Sequence, residues 1–273
     1  MGKPCWLAAI RWFSEVMPDA DQMRDEKRER SMTPRHARLG LLYAWSGVAI
    51  MWVFWVSFVI FLAAPRQLDG VWPLPTVEGN TSLIPSWMAA LVDIALIAVF
   101  GLQHSLMARP WFKQHVMAAM PPAFQRVTYV HFANVALFAL ILFWQPIPSL
   151  IWDVRGGLVE WVVWTVFAIG WLILFFGAWS MGLGDLLGLE EMRAWAKGSE
   201  YQLRLKTGGL YRWLRHPMYV GVLLGVWATP NMSLGHLLLA SGLTLYVIVA
   251  MRYEKRDLIA SYGDRYASWT ARS

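Results

Sequence analysis

Five long apolar stretches constrain most strongly what this chain can fold into. They cover residues 39–64, 85–107, 127–144, 158–181 and 217–251. A helix needs roughly 20 mostly apolar residues to cross the ~30 Å core of a bilayer, and each stretch meets or approaches that length. Hydrophobic residues make up 57% of the chain and charged residues 15%, against about 45–50% and about 25% in an ordinary soluble domain. The sequence therefore predicts an integral membrane protein and excludes a disordered chain.

The fifth stretch is too long for one crossing and is interrupted at Thr229-Pro230-Asn231. Proline removes a backbone donor and asparagine favours turns. A helical hairpin of residues 217–229 and 233–251 is therefore predicted, with a first arm short enough to be tilted or only partly inserted. The expected fold is an all-α, polytopic membrane helical bundle of five to six transmembrane helices that ends in this hairpin.

The distribution of basic residues predicts the orientation of the bundle. The net charge is +6, and Lys and Arg concentrate before the first stretch, between the second and third, in residues 182–216 and after residue 251. Cytoplasmic loops carry an excess of Lys and Arg, so six crossings place both termini in the cytoplasm, with an inner membrane as the expected location. The lipid bilayer is the expected partner and nucleic acid is not, because no long basic run forms.

Polar side chains near the cytoplasmic end of the second stretch form a first candidate site. Gln103, His104 and Ser105 precede Arg109 and Pro110. Ionisable residues inside a membrane segment are functional candidates by default, and the ring of His104 can titrate or hydrogen-bond a substrate. The alternative interpretation is that these residues only cap the helix, since Arg109 is favoured at a helix carboxyl end.

A second candidate site lies in residues 208–221, which read GGLYRWLRHPMYVG. Glycines permit a tight turn, and Pro217 suits the first position of a helix. His216 and Tyr219 are therefore expected at the cytoplasmic end of that helix, where free N–H groups can bind a carboxylate. Interfacial anchoring explains the aromatic residues but not the combination of His, Pro and Tyr. Beyond the hairpin, the charged segments RYEKRDL and YGDRY leave the membrane at residues 252–266.

The carboxyl-terminal part of the chain, over about residues 203–269, resembles the corresponding region of the isoprenylcysteine carboxyl methyltransferase superfamily. The resemblance is carried by four features in order: RHPMYVG, a hairpin, RYEKRDL and YGDRY. Members of this superfamily are integral-membrane enzymes that use S-adenosylmethionine, so the resemblance implies this cofactor and a cytoplasmic cofactor site. Where prenylcysteine enzymes carry a substrate-binding arginine, this chain has Ala250. The resemblance also implies ten cofactor-binding residues: Leu203, Arg204, Leu205, Lys206, Tyr211, His216, Pro217, Met218, Tyr219 and Glu254.

Further segments resemble a narrower bacterial branch, the methanethiol S-methyltransferases. They include FGLQHSLMARPWFK, RVTYV, LILFWQPIPSLIWDVRG and LLGVWATPNMSLGHLL, although Leu183-Gly184 stand where that branch tends to carry Asn-His. The resemblance covers about residues 39–269 and implies a small-molecule thiol substrate, methanethiol, converted to dimethyl sulfide. A thiol reacts as its thiolate, which nearby positive charge favours, so His104, Arg109 and Arg252 are the predicted catalytic residues.

These expectations divide the chain into three regions and leave two alternatives open. The regions are a cytoplasmic amino-terminal arm (1–38), a four-helix membrane region (39–181) and a cofactor-binding catalytic region with the hairpin (182–273). One alternative keeps the cofactor and changes the acceptor to a prenylcysteine carboxylate, a phospholipid amine or hydrogen sulfide. The other is a non-enzymatic membrane protein, either a transporter or an assembly factor. Transporters are often built from repeated halves, and the absence of such halves in this sequence disfavours a transporter.

No metal is expected, because the histidines are too scattered for a ligand motif such as HExxH. Two of them, His131 and His236, are predicted to be helix residues that each have a hydrogen-bond partner.

Overall fold

The computed structural model describes residues 34–63, 75–79, 82, 84–202 and 208–263. Nine helices and two short strands lie in these ranges. In chain order they are α1 (Pro34–Ala63), α2 (Ser86–Ala108), α3 (Pro110–His115), α4 (Pro122–Leu142), β1 (Leu150–Asp153), α5 (Leu158–Met181), α6 (Leu183–Leu186), α7 (Leu189–Ala196), α8 (Pro217–Trp227), β2 (Asn231–Ser233) and α9 (Leu234–Tyr262). The predicted cofactor residues Leu203, Arg204, Leu205 and Lys206, and most of the predicted amino-terminal arm, lie outside the described residues.

Five of these helices, α1, α2, α4, α5 and α9, are long and apolar enough to cross a membrane. The predicted all-α membrane bundle is therefore confirmed, and α5 has the bounds predicted for it. Helices α1 and α4 each begin five residues before the predicted start, at Pro34 and Pro122. The first turn of α1 is polar and the start of α4 contains Gln125 and Arg126, so a criterion based on apolar length does not detect them, although proline is well suited to a first helical turn.

The predicted hairpin is present, but its first arm is shorter than a full crossing. Helix α8 has 11 residues, which is about 16 Å of helix. The chain then continues into β2, which pairs antiparallel with β1 and brings Asp153 opposite Asn231. Neither strand was predicted from the sequence. Their pairing satisfies backbone groups that apolar surroundings would otherwise leave without partners.

Glycine residues bring α5 and α8 into close contact. A Cβ atom built on Gly221 would lie 2.5 Å from the backbone nitrogen of Leu174 and 2.7 Å from the carbonyl oxygen of Gly170. One built on Gly225 would lie 2.9 Å from the ring of Trp171. Small residues allow helix backbones to approach closely in membranes, so this surface fixes the short helix α8 against a full-length neighbour.

The ribbon end of the bundle, defined as the end that carries β1 and β2, contains a buried carboxylate. Glu78 is 4% exposed. It accepts hydrogen bonds from Nδ2 of Asn231 at 2.8 Å and from the backbone N–H of Ser233 at 3.2 Å. Its Oε1 also lies 3.0 Å from Nδ1 of His236, whose Nε2 lies 2.9 Å from the carbonyl oxygen of Val226. The predicted partner of His236 is thereby identified, and the turn between α8 and α9 is held in place.

His131 and the intramembrane carboxylate of Asp93 also have partners in the bundle. Nε2 of His131 lies 3.0 Å from the carbonyl oxygen of Tyr43, which confirms the prediction for this histidine. Asp93 is fully buried, and its Oδ1 accepts a hydrogen bond from the backbone N–H of Gln145 at 2.9 Å.

The opposite end of the bundle, here called the basic end, is covered by α6 and α7. Side chains of α7 pack on α1, where Met192 and Trp195 lie close to Gly40. Arg126, in the first turns of α4, donates to the carbonyl oxygen of Asp185 at 3.0 Å and lies 3.4 Å from a carboxylate oxygen of Glu191. The predicted site residues on α2, α8 and α9 are all at this end.

Candidate active site

The beginning of α8 and the last turns of α9 bring four predicted cofactor residues together. Nδ1 of His216 lies 3.7 Å from Oε2 of Glu254. The ring of His216 is stacked on that of Tyr219, with centroids 5.5 Å apart, and the side chain of Tyr219 interacts with the carboxylate of Glu254. Tyr211 is buried and interacts electrostatically with the same carboxylate. We call His216, Tyr219, Glu254 and Tyr211 the carboxylate cluster.

The sequence GGLYR explains how Tyr211 reaches this cluster. Gly209 has a φ of +60° and opens a 3-10 turn over Gly209–Arg212. The turn lies against the end of α5, where the backbone N–H of Leu210 donates to Oγ of Ser180 at 3.3 Å. Burial and the Glu254 carboxylate raise the pKa of Tyr211 from 10.0 to about 12. Its phenol is therefore neutral at physiological pH and can donate a hydrogen bond.

Pro217 and Met218 connect the cluster to the helix interface. Pro217 occupies the first turn of α8, where its missing N–H costs no hydrogen bond. Both residues lie against Gly177 of α5, because a Cβ atom there would be 3.1 Å from Cγ of Met218 and 3.2 Å from Cβ of Pro217. The glycine contacts between α5 and α8 thus determine where His216 enters the site.

One atom of the carboxylate cluster has no hydrogen-bond partner. Among the described residues, Oε2 of Glu254 is buried and accepts no hydrogen bond. A buried acceptor of this kind costs free energy when it stays unpaired. An oxygen in this state suits a bound group that carries hydroxyl or ammonium donors.

A second group of side chains lies between α2, α4 and α9. The hydroxyl oxygen of Tyr129 is 2.7 Å from Nε2 and 3.0 Å from Nδ1 of His104. The ring centroids of Tyr246 and His104 are 6.1 Å apart, and both rings contact the ring of Phe100. Gly101 makes room for Tyr246, since a Cβ atom there would lie 3.1 Å from its ring. We call His104, Tyr129 and Tyr246 the histidine cluster.

The two clusters share one region of the basic end. Tyr219 of the carboxylate cluster interacts electrostatically with both Tyr246 and Tyr129. The side chains of His104, Tyr129, Tyr219 and Tyr246 are all half-buried. Groups that are partly accessible and polar within apolar helices are typical of a binding site.

The two predicted catalytic arginines have different surroundings. Arg109 donates to a carboxylate oxygen of Asp257 at 2.8 Å and to the carbonyl oxygen of Ser105 at 3.2 Å. Its guanidinium also lies over the ring of Tyr253, 4.8 Å from the centroid. Arg109 therefore fastens the end of α2 to the end of α9. Arg252 is exposed on α9.

Two half-buried charged residues, Lys113 and Glu191, lie near the site. Burial and the neighbouring Arg126 lower the pKa of Lys113, and burial raises the pKa of Glu191. Among the described residues, no group of three or more His, Cys, Asp or Glu side chains could hold a metal ion.

Three residues of this region were not predicted from the sequence: Tyr129, Tyr246 and Asp257. Tyr129 lies within the segment RVTYV, and Tyr246 is a single polar residue within the apolar part of α9. The available signal was the presence of a hydroxyl group inside a membrane segment, which is weak because tyrosine is common in such helices.

Comparison with known proteins identifies the class of protein to which this chain belongs. A sequence profile of the phospholipid methyltransferase family matches residues 161–265. The methanethiol S-methyltransferase of Mycobacterium tuberculosis is 36% identical over 215 residues, covering 78% of this chain and 84% of the relative. The enzyme of the same name from Crocosphaera subtropica is 34% identical over 218 residues, covering 80% and 82%. Nurim of Xenopus laevis is 32% identical over 225 residues, covering 77% of each chain. No solved structure matches significantly.

The apolar helical bundle and these matches together define an integral-membrane methyltransferase. The chain belongs to the family that contains the methanethiol S-methyltransferases.

Proposed function

We propose that the protein transfers a methyl group from S-adenosylmethionine to methanethiol and so forms dimethyl sulfide. The relatives named methanethiol S-methyltransferase support the acceptor. The observation that carries the proposal is the carboxylate cluster, in which a buried oxygen of Glu254 has no hydrogen-bond partner among the described residues. The basic end is proposed to face the cytoplasm of a bacterium, because Lys and Arg favour that side.

The carboxylate cluster fits the polar groups of S-adenosylmethionine. The cofactor carries a carboxylate, an ammonium group and two ribose hydroxyls, and the last two kinds of group can donate to the unpaired oxygen of Glu254. The amino end of α8, directly after His216, has free N–H groups, which favour an anion such as the carboxylate. Tyr211 and Tyr219 would line the same space. The proposed binding set also includes Pro217, Met218 and, from the family resemblance, Leu203, Arg204, Leu205 and Lys206.

The bound cofactor would supply an electrophilic methyl group on a sulfonium. The chain has to place the acceptor sulfur in line with it, and such positioning accounts for much of the catalysis in displacements of this type. The apolar helices around His104 exclude water from the acceptor, and a thiol has to lose its proton to become the stronger nucleophile. We place His104 at the acceptor side. Arg109 and Arg252 are proposed to contribute positive charge, Arg109 from its pair with Asp257.

Purified protein in lipid vesicles tests this proposal directly. With methanethiol and S-adenosylmethionine added, headspace gas analysis should detect dimethyl sulfide, and S-adenosylhomocysteine should form in equal amount. The Glu254→Ala and His216→Ala variants should lose most of this activity, because each removes a polar group of the carboxylate cluster. Full activity in both variants would contradict the proposed cofactor site.

A phospholipid amine is the second candidate acceptor, favoured by the description of the family profile over residues 161–265. A lateral groove of about 490 Å³ also opens on α5, lined by Ile169, Leu172, Ile173, Phe176, Ser180, Gly209, Leu210 and Trp213. The same vesicles, prepared with phosphatidylethanolamine and without methanethiol, separate the two acceptors. Methylated headgroups detected by mass spectrometry would favour the lipid, and unmodified headgroups would favour the thiol.

A further inference from the structure

We propose that His104 takes the proton from the acceptor thiol and that Tyr129 holds its imidazole in position for this step. The inference rests on the proposed function, because it assumes that a thiol is the acceptor. It changes the role of His104 from a source of positive charge to a general base, and it assigns a positioning role to Tyr129.

The contacts of His104 favour a neutral ring that can accept a proton. Its hydrogen-bond partner is the hydroxyl of Tyr129, at 2.7 Å from Nε2, and its other ring contacts are Phe100 and Tyr246. No carboxylate among the described residues hydrogen-bonds the ring. A protonated imidazole is stabilised by a carboxylate partner, and His104 has none of this kind.

Two cations on the neighbouring helices have carboxylate partners. Arg109 on α2 pairs with Asp257 at 2.8 Å, and Arg126 on α4 pairs with Glu191 at 3.4 Å. Because these cations have carboxylate partners, stabilising a thiolate by charge alone is less effective here than removing its proton with a base. Within the histidine cluster, the imidazole of His104 is the group of the type that most often acts as a general base.

The location of His104 also suits this role. Tyr129 and Tyr246, which contact His104, also interact electrostatically with Tyr219, and Tyr219 interacts with the carboxylate of Glu254. The acceptor would therefore occupy the space between the carboxylate cluster on one side and His104 on the other. The aromatic rings of Phe100 and Tyr246 give this space an apolar surface, which fits a thiol with a short alkyl group.

The step is balanced without any further reactant. The S–H bond breaks, and the proton moves to a ring nitrogen of His104. The thiol sulfur uses the released electron pair to bond the methyl carbon, while the carbon–sulfur bond to the sulfonium breaks and leaves its electron pair on the sulfonium sulfur. The imidazolium then gives the proton to solvent, so each turnover releases one proton.

The dependence of the rate on acceptor acidity tests the proposal. General base catalysis contributes about 10²- to 10⁴-fold, so the kcat of a His104→Gln variant with methanethiol should fall at least ~100-fold. Tyr129→Phe should lower kcat about 5- to 10-fold, which corresponds to one lost hydrogen bond. With 2,2,2-trifluoroethanethiol, which is far more acidic and needs no base, both variants should recover most of the wild-type rate. Because the test is a ratio of two rates in one preparation, it is independent of the fraction of folded protein.

Tyr43→Phe is the matched control for Tyr129→Phe. The hydroxyl of Tyr43 is 3.1 Å from Oγ1 of Thr128, so this variant loses a hydrogen bond to the same helix without touching His104. It should keep the wild-type ratio of the two rates. Binding of S-adenosylmethionine, measured by calorimetry on the detergent-solubilised protein, should be unchanged in all three variants.

The outcomes separate this inference from the proposed function. Wild-type protein that methylates neither thiol overturns both. Wild-type protein that is active, together with variants whose loss is equal for both thiols, overturns the role of His104 and Tyr129 alone and leaves the proposed function intact.

Discussion

At the scale of single residues, the site depends on how burial controls the ionisation of its polar groups. Tyr211 is buried beside the Glu254 carboxylate, and both influences raise its pKa to about 12. Glu254 itself keeps a buried oxygen without a partner among the described residues. The carboxylate cluster thus combines a neutral donor with an unpaired acceptor, as a ligand with both donors and acceptors would require.

The pKa of Tyr211 predicts how stability depends on pH. Folding raises this pKa from 10.0 to about 12, so the folded state holds the phenol proton more tightly than the unfolded chain does. The stability from this source is fully present below pH 10.0 and is lost as pH rises through about 12. The Tm of the wild type in detergent should fall more steeply over this interval than that of Tyr211→Phe. Parallel curves would show that Tyr211 makes no such contribution.

Only part of the site could be predicted from individual residues. His216, Tyr219 and Glu254 belong to motifs with characteristic spacing, and the structure brings them together. Tyr129 and Tyr246 are 117 residues apart in the sequence, and their convergence on His104 depends on how three helices are rotated about their axes. Helices that are apolar on all sides carry no periodic signal that would reveal this rotation.

At the scale of secondary-structure elements, the short helix α8 determines the position of the cofactor residues. Its glycines pack against α5, and the ribbon of β1 and β2 continues the chain beyond its last turn. The bounds of α5 could be predicted because Gly157 and Gly182 flank an apolar run whose one charged residue, Glu160, lies in the first turn. The ribbon could not, because strands of four and three residues have no clear alternation, and the paired residues Asp153 and Asn231 are 78 residues apart in the sequence.

The contact between α5 and α8 predicts a large effect of one added methyl group. In Gly221→Ala the new Cβ atom would meet backbone atoms at 2.5 Å and 2.7 Å, so the helices have to separate. Overpacking of this kind costs about 1–3 kcal/mol, and the Tm in detergent should fall accordingly. Gly157→Ala is the control, since no atom lies within 4 Å of its Cβ position. Equal Tm values for the two variants would contradict the close packing.

The buried carboxylate at the ribbon end predicts a second destabilising change. Glu78→Gln removes the negative charge that faces His236 and replaces an acceptor of the Asn231 and Ser233 hydrogen bonds. Leaving a buried hydrogen-bonding group without its partner typically costs about 1–3 kcal/mol. Thermal unfolding should show this loss in Glu78→Gln and not in Glu200→Gln, whose side chain is exposed. Similar unfolding curves for both variants would mean that the buried cluster contributes little.

At the scale of the whole molecule, the candidate site lies at the same end of the bundle as most of the basic residues. The basic end carries the ends of α2, α5 and α9 and the beginnings of α4 and α8, and both clusters lie there. Five membrane-spanning helices and one short arm could be anticipated from apolar length alone. The same count of crossings places the beginning of α1 and the end of α9 at the basic end, which is proposed to be cytoplasmic.

The single cysteine, Cys5, allows this orientation to be tested without adding a reporter. A membrane-impermeant maleimide should label Cys5 in inside-out vesicles and leave it unlabelled in intact spheroplasts. The double variant Cys5→Ser, Gly157→Cys moves the thiol to the ribbon end and should show the reverse pattern. Labelling of Cys5 in spheroplasts would contradict the cytoplasmic location of the amino terminus.

Calorimetric titration of S-adenosylmethionine into the detergent-solubilised protein tests the central claim most directly, since Glu254 is the centre of the proposed site. Replacing a charged hydrogen-bonding group costs about 1.5–3 kcal/mol, so Glu254→Gln should raise the Kd about 10- to 100-fold. Glu190→Gln, which alters an ion pair with Arg193 on α7, should bind as the wild type does. A Glu254→Gln variant with the wild-type Kd, or a wild type that binds no cofactor, would contradict the account.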